Sequence, residues 1–184
     1  MTRAPAFFST VILSLGCAHA PVAVEGPLIE VVLDEGKPDQ RPLTPDKTFE
    51  LLMRFDPKLP SYRLVRARFQ LAQPGKLVFT VYAVDGSGRP GAPLKTIERN
   101  YPPACAGSAD DGKWVVEDLS DVPPLGAPVF VGVYSPIKQE DPRLWACSND
   151  SGAVFARDAD PSLPMSSTKV RRTPRLRLVV APAN

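Results

Sequence analysis

The sequence predicts an all-β fold: a single antiparallel β-sandwich of about eight or nine strands behind an N-terminal signal segment. Three observations predict it. Short runs of β-type residues recur along the chain, each closed by a turn cluster. Proline is abundant, with 22 residues against roughly nine expected at an average frequency of about 5%. It breaks helix interiors but is tolerated in loops and at sheet edges. Finally, no window carries a convincing helical period with caps. The hydrophobic content of 43% is enough for a packed core, and 184 residues suffice for one domain or one domain plus a tail.

The candidate strands are Leu28–Leu33, Thr48–Phe55, Tyr62–Leu71, Lys76–Val84, Leu94–Arg99, Trp114–Leu119, Pro128–Ser135, Ala153–Ala156 and Pro174–Ala181. Alternation is clearest in Tyr62–Leu71, where Val65, Ala67, Phe69 and Leu71 share one face and Arg66, Arg68 and Gln70 the other. The last run repeats this, with Leu176, Leu178 and Val180 opposite Arg175 and Arg177. Leu77–Val84 and Val129–Tyr134 are apolar at nearly every position, as strands covered on both sides would be.

Turn chemistry separates these runs. Pro74-Gly75 has the type II order of proline then glycine, Asp85 to Gly91 is a longer glycine-rich connection, and Ser148 to Gly152 reads as a hairpin tip. Residues 158–172 lack periodicity and read as an exposed loop. The order Val81-Tyr82 to Leu94, then Gly112-Lys113-Trp114, then Val129 to Val133 resembles the jelly-roll accessory modules of bacterial extracellular proteins. The resemblance spans residues 45–181 and implies a jelly-roll-like sandwich.

The N-terminus carries an address. Arg3 supplies a positive end, Ala4 to Leu15 is largely apolar, and small residues surround a cysteine in Ser14-Leu15-Gly16-Cys17-Ala18. This pattern is a secretory signal, too short to span a bilayer by itself. Its exit resembles the lipobox of bacterial lipoproteins through Gly16 and Cys17, although Ser14 and Leu15 stand in reverse of the commonest order. The resemblance implies cleavage before Cys17 and lipid attachment there, through a diacylglycerol and an N-acyl chain such as palmitate. Ala18 follows, not the Asp that retains enterobacterial lipoproteins at the inner membrane, so the outer membrane is the expected location. The expected organisation is a signal peptide over 1–16, lipid attachment and tether over 17–27, and a β-sandwich domain over 28–184. The alternative is an ordinary secreted protein cleaved within Ala18-His19-Ala20, with Cys17 incidental.

Three cysteines are present: Cys17, Cys105 and Cys147. With Cys17 consumed by lipid, Cys105 and Cys147 remain as an even pair in an oxidising compartment, which predicts a disulfide. It would close a loop of about 43 residues and add roughly 4 kcal/mol by the chain-entropy estimate. The alternative is two buried thiols.

Function is bounded mainly by exclusion. The only histidine, His19, precedes the domain, which removes imidazole-based triads and histidine zinc sites. No CxxC or phosphate-cradling motif is present. Charges nearly cancel, with 22 Lys+Arg against 20 Asp+Glu, so nucleic acid is not an expected partner. The acids Glu117, Asp118, Asp121, Glu140 and Asp141 sit among prolines and turns, with nothing marking two of them as a glycosidase pair. Asp110-Asp111, Asn149-Asp150 and Asp158 to Asp160 carry calcium-type oxygens without EF-hand spacing. The basic run Lys169 to Arg172, followed by Arg175 and Arg177, reads as a solvated face or a contact for anionic polymers.

The reading is therefore of a non-enzyme with no catalytic residue, metal or cofactor. Its expected partners are the membrane, through the lipid anchor, and an envelope protein or a polysaccharide. Were the ligand a sugar, Trp145 and Tyr101 are the candidate stacking rings.

Overall fold

A computed structural model of the chain describes residues 26–34, 42–45, 49–110, 113–136, 142–148, 153–158 and 170–183. Two antiparallel sheets pack face to face. The four-stranded sheet has the order β1 (Ile29–Val32), β13 (Leu176–Pro182), β3 (Tyr62–Phe69) and β7 (Val115–Asp118). The five-stranded sheet has the order β11 (Val154–Asp158), β2 (Phe49–Phe55), β8 (Val129–Tyr134), β5 (Gly75–Val84) and β6 (Pro90–Tyr101). Two short ribbons sit beside them, β4 (Leu71–Gln73) with β9 (Arg143–Leu144) and β10 (Ala146–Cys147) with β12 (Thr173–Pro174). Each of the nine expected strands falls on one of the nine strands of the two sheets. Among the described residues no helix is long and apolar enough to cross a membrane.

The core lies between the inner faces. Met53, Phe55, Leu77, Phe79, Val81, Val131 and Val133 come from one sheet, and Leu64, Ala67, Phe69, Leu176, Leu178 and Val180 from the other. Burying such side chains stabilises by about 1.5–3 kcal/mol each before entropy is counted. The predicted alternation in β3 breaks at one point. Arg66 pairs with Val179 but Leu64 with Val180, so Val65 has no partner and bulges. One extra residue flips strand parity. Tyr62 and Leu64 thereby enter the core with Ala67 and Phe69, while Val65 packs with Val179 and Ala181 in a separate cluster. β8 behaves as its all-apolar run predicts and is buried from Val129 to Val133.

The loops also follow local chemistry, with one exception. Asp85 Oδ1 accepts from the backbone N–H groups of Ser87 (2.8 Å) and Arg89 (2.9 Å), closing the β5–β6 hairpin, where Gly88 takes φ +80°. Pro74-Gly75 is instead a corner that hands the chain from the β4–β9 ribbon to β5. Gly75 has φ +143°, and a Cβ there would come within 3.1 Å of Pro142. Along the outer edge, β6 carries Pro90 and Pro93, which lack donors and so blunt edge pairing.

The expected Cys105–Cys147 disulfide is not formed. Cys147 is a reduced, buried thiol in the β10–β12 ribbon, opposite Thr173. Cys105 ends a 3-10 turn over Pro103–Cys105 and joins the main core; its sulfur is engaged elsewhere. Cys17, the remaining cysteine, lies outside the described residues together with the whole signal segment. Two loop-like settings say nothing about the Cα separation of about 4.4–6.8 Å that a bridge needs.

Candidate functional site

The outer face of the five-stranded sheet holds a half-open cleft of about 450 Å³. Its construction starts from a glycine. In the apolar run Val129-Phe-Val-Gly-Val-Tyr134, Gly132 lies between Leu52 of β2 and Thr80 of β5. A Cβ at Gly132 would stand 1.8 Å from Glu50 Oε1 and 2.9 Å from Tyr82 Cε2. The missing side chain is thus the space that Glu50 occupies, a close approach that an isolated strand glycine often marks.

Glu50 is 2% exposed and is held by two partners. Tyr82 donates its hydroxyl to Oε1 at 2.9 Å, and Arg157 donates Nη2 to Oε2. Arg157 Nη2 also donates to the Tyr82 oxygen at 3.0 Å, and its guanidinium carbon lies 4.9 Å from the centroid of the Tyr82 ring. Burial pushes the Glu50 carboxyl above the usual carboxylate range, against the opposing charge and hydrogen bond of Arg157 and the hydrogen bond from Tyr82. The Tyr82 phenol is pushed up to about 12, first by burial and then by the Glu50 charge. Burial also raises Tyr134, across the cleft.

Several polar atoms around the cleft retain bonding capacity. The Thr80 and Thr96 hydroxyls face each other at 3.3 Å and share one hydrogen. Among the described residues the Tyr134 hydroxyl meets no partner. Arg157 Nε has no hydrogen-bond partner either, but it is closed off from the cleft. The wall is apolar, from Val78, Pro90 and Pro93. This arrangement offers a ligand polar groups set in an apolar wall.

The residues singled out from sequence lie elsewhere. Tyr101 is 2% exposed, packs edge-on against Phe69 at 5.4 Å and donates its hydroxyl to Glu117 at 2.7 Å, so its ring presents no face to a ligand. Trp145 is half-buried between β9 and β10 and donates its indole N–H to the Gly107 carbonyl at 2.9 Å. Neither ring lines the cleft.

The acids do not converge. Glu117 binds Arg99 and Tyr101 inside the fold, Asp118 caps Ser120, Asp121 pairs with Lys95, and Glu140 and Asp141 lie outside the described residues. Among the described residues no group of three metal-ligating side chains occurs. Arg175 and Arg177, the end of the basic run, are taken up by Asp34 on the opposite face.

Sequence reasoning missed Glu50 and Arg157, which stand 107 positions apart. Two signals existed, a glutamate inside the apolar run Phe49 to Met53 and a glycine in the middle of β8. Comparison with models of known protein families and with curated proteins finds no match to this chain.

Proposed function

We propose that the chain is a lipid-anchored cell-envelope protein whose β-sandwich acts as a non-catalytic interaction component at the outer membrane. The observation that carries this reading is the N-terminal pattern of Arg3, an apolar stretch and Gly16-Cys17. The mechanism is placement. Acyl chains, at about 0.8 kcal/mol per buried methylene, hold the domain at the bilayer, and the rigid sandwich presents its contact surface. A jelly-roll form of that sandwich is supported by the sheet orders, β1-β13-β3-β7 and β11-β2-β8-β5-β6, in which sequence neighbours repeatedly change sheet and long connections cross between them.

Metabolic palmitate labelling of the wild type and Cys17→Ala, with membrane fractionation and cross-linking pull-down, tests the proposal. Label and membrane association are expected in the wild type, and both should vanish, with the cross-linked partner, in the variant. An unlabelled mature chain, or an intact mass showing Cys17 as a thiol or bonded to Cys105, overturns it.

A second reading, a carbohydrate-binding module, is favoured by one observation: the open, tyrosine-bearing cleft over Gly132.

A further inference from the structure

The chemistry of the cleft says more than that it is open. Among the described residues that line it, Glu50 and Arg157 are the only charged side chains, and they are bonded to each other. Their charges cancel. An entering anion would compete with Glu50 for a guanidinium already engaged, beside a carboxylate that repels it in a partly desolvated space. An entering cation would meet Arg157 in the same way. A neutral ligand disturbs neither.

The remaining capacity specifies what kind of neutral ligand. The Tyr134 hydroxyl and the shared Thr80–Thr96 pair can each donate or accept. Between them lie aromatic and proline surfaces. A ligand that meets all of these must be apolar on its faces and bear several hydroxyl groups on its edges. That is the chemistry of a sugar ring, and the volume lies in the lower part of the range of about 300–1,000 Å³ typical of small-molecule sites.

We propose that the cleft formed by Glu50, Tyr82, Arg157, Tyr134, Thr80 and Thr96 binds a short stretch of uncharged saccharide and discriminates against uronic acids. Tyr134 supplies the stacking face and the Thr pair orients ring hydroxyls. Glu50 and Tyr82 act as positioning residues, holding the Arg157 side chain in place beside the cleft. The proposal rests on the binding-module reading and does not depend on the lipid anchor.

The test measures binding to the full chain by saturation-transfer NMR and calorimetry. The probes are cellotetraose, maltotetraose and chitotetraose, with tetragalacturonate as the acidic control. At least one neutral probe is expected to bind, and the acidic one about tenfold more weakly or not at all. Tyr134→Ala should weaken the neutral ligand about tenfold at an unchanged melting temperature. Thr96→Val, on the exposed edge strand, should weaken it less and leave the fold intact.

A folded chain that binds none of the neutral probes overturns the proposal. So does tetragalacturonate binding as tightly as they do, or affinity that survives both substitutions. Such a failure is distinct from failure of the envelope reading, which palmitate labelling and fractionation decide without any ligand.

Discussion

The two outer faces of the sandwich both carry arginine, and they use it differently. On the four-stranded sheet Arg68 stands directly opposite Arg177, a pairing that alone would repel. Glu30 accepts from both, at 2.8 and 3.1 Å, and Asp34 accepts from Arg177 at 3.0 Å and Arg175 at 3.4 Å. The guanidinium carbons of all three lie 4.7 to 5.3 Å from the Trp114 centroid. Arg175 Nη1 also reaches Gln70 and the Ala109 carbonyl. This cluster clamps β1, β3 and β13 together. On the five-stranded sheet one arginine meets one carboxylate, and an open volume adjoins the pair. A charge cluster that ties three strands together is architecture; a single matched pair beside an open volume is a candidate site.

The largest expected effect tests the architectural half of that contrast. Asp34 is 2% exposed, and Asp34→Ala leaves Arg175 and Arg177 without their common counter-charge. Removing one partner of a buried ion pair costs about 3–5 kcal/mol. The lower end is expected because both arginines keep some contact with water. Urea unfolding measures it, and a loss below about 1 kcal/mol would reduce the cluster to an ordinary surface pair.

A smaller effect tests the other half. Gly132→Ala puts a methyl group where Glu50 lies, so the carboxylate must leave Tyr82 and Arg157. Overpacking of this kind costs about 1–3 kcal/mol, and the cleft should lose its ligand along with its geometry. An alanine variant as stable as the wild type would mean that Glu50 is not held there.

The smallest is a pH dependence. Because burial raises the folded-state carboxyl of Glu50, the native chain binds its proton more tightly than the unfolded chain. The Glu50 contribution to stability is therefore fully present below the unfolded value near 4.5 and is lost as pH rises through the higher folded value. Relative to Glu50→Gln, the wild type should lose stability as pH rises from about 4.5 toward neutrality. Other carboxylates titrate in both chains and cancel in the difference, so a flat or rising difference would show that Arg157 outweighs burial.

Much of the fold was legible because β-structure writes its period locally. Val129 to Val133, apolar throughout, read as a strand covered on both faces, and Asp85-Gly-Ser-Gly88 carried its own turn. The ribbons β4, β9, β10 and β12, two or three residues each, leave no period to read. The bulge at Val65 is equally silent, since parity is set by the partner strand and not by the run itself. The site was harder still. Trp145 and Tyr101 drew attention as aromatic residues in or beside loops, yet Tyr101 is core and Trp145 is tied to Gly107.

By itself, then, the sequence determined the secondary-structure class, the strand positions and the address-like pattern at the N-terminus, because each depends on residues within a few positions of one another. Only the tertiary structure decided that Cys147 stays a thiol, that Tyr101 turns inward, and that Glu50 and Arg157 meet over Gly132. Those outcomes depend on distances between strands far apart in the chain, and the order and register of the sheets set them.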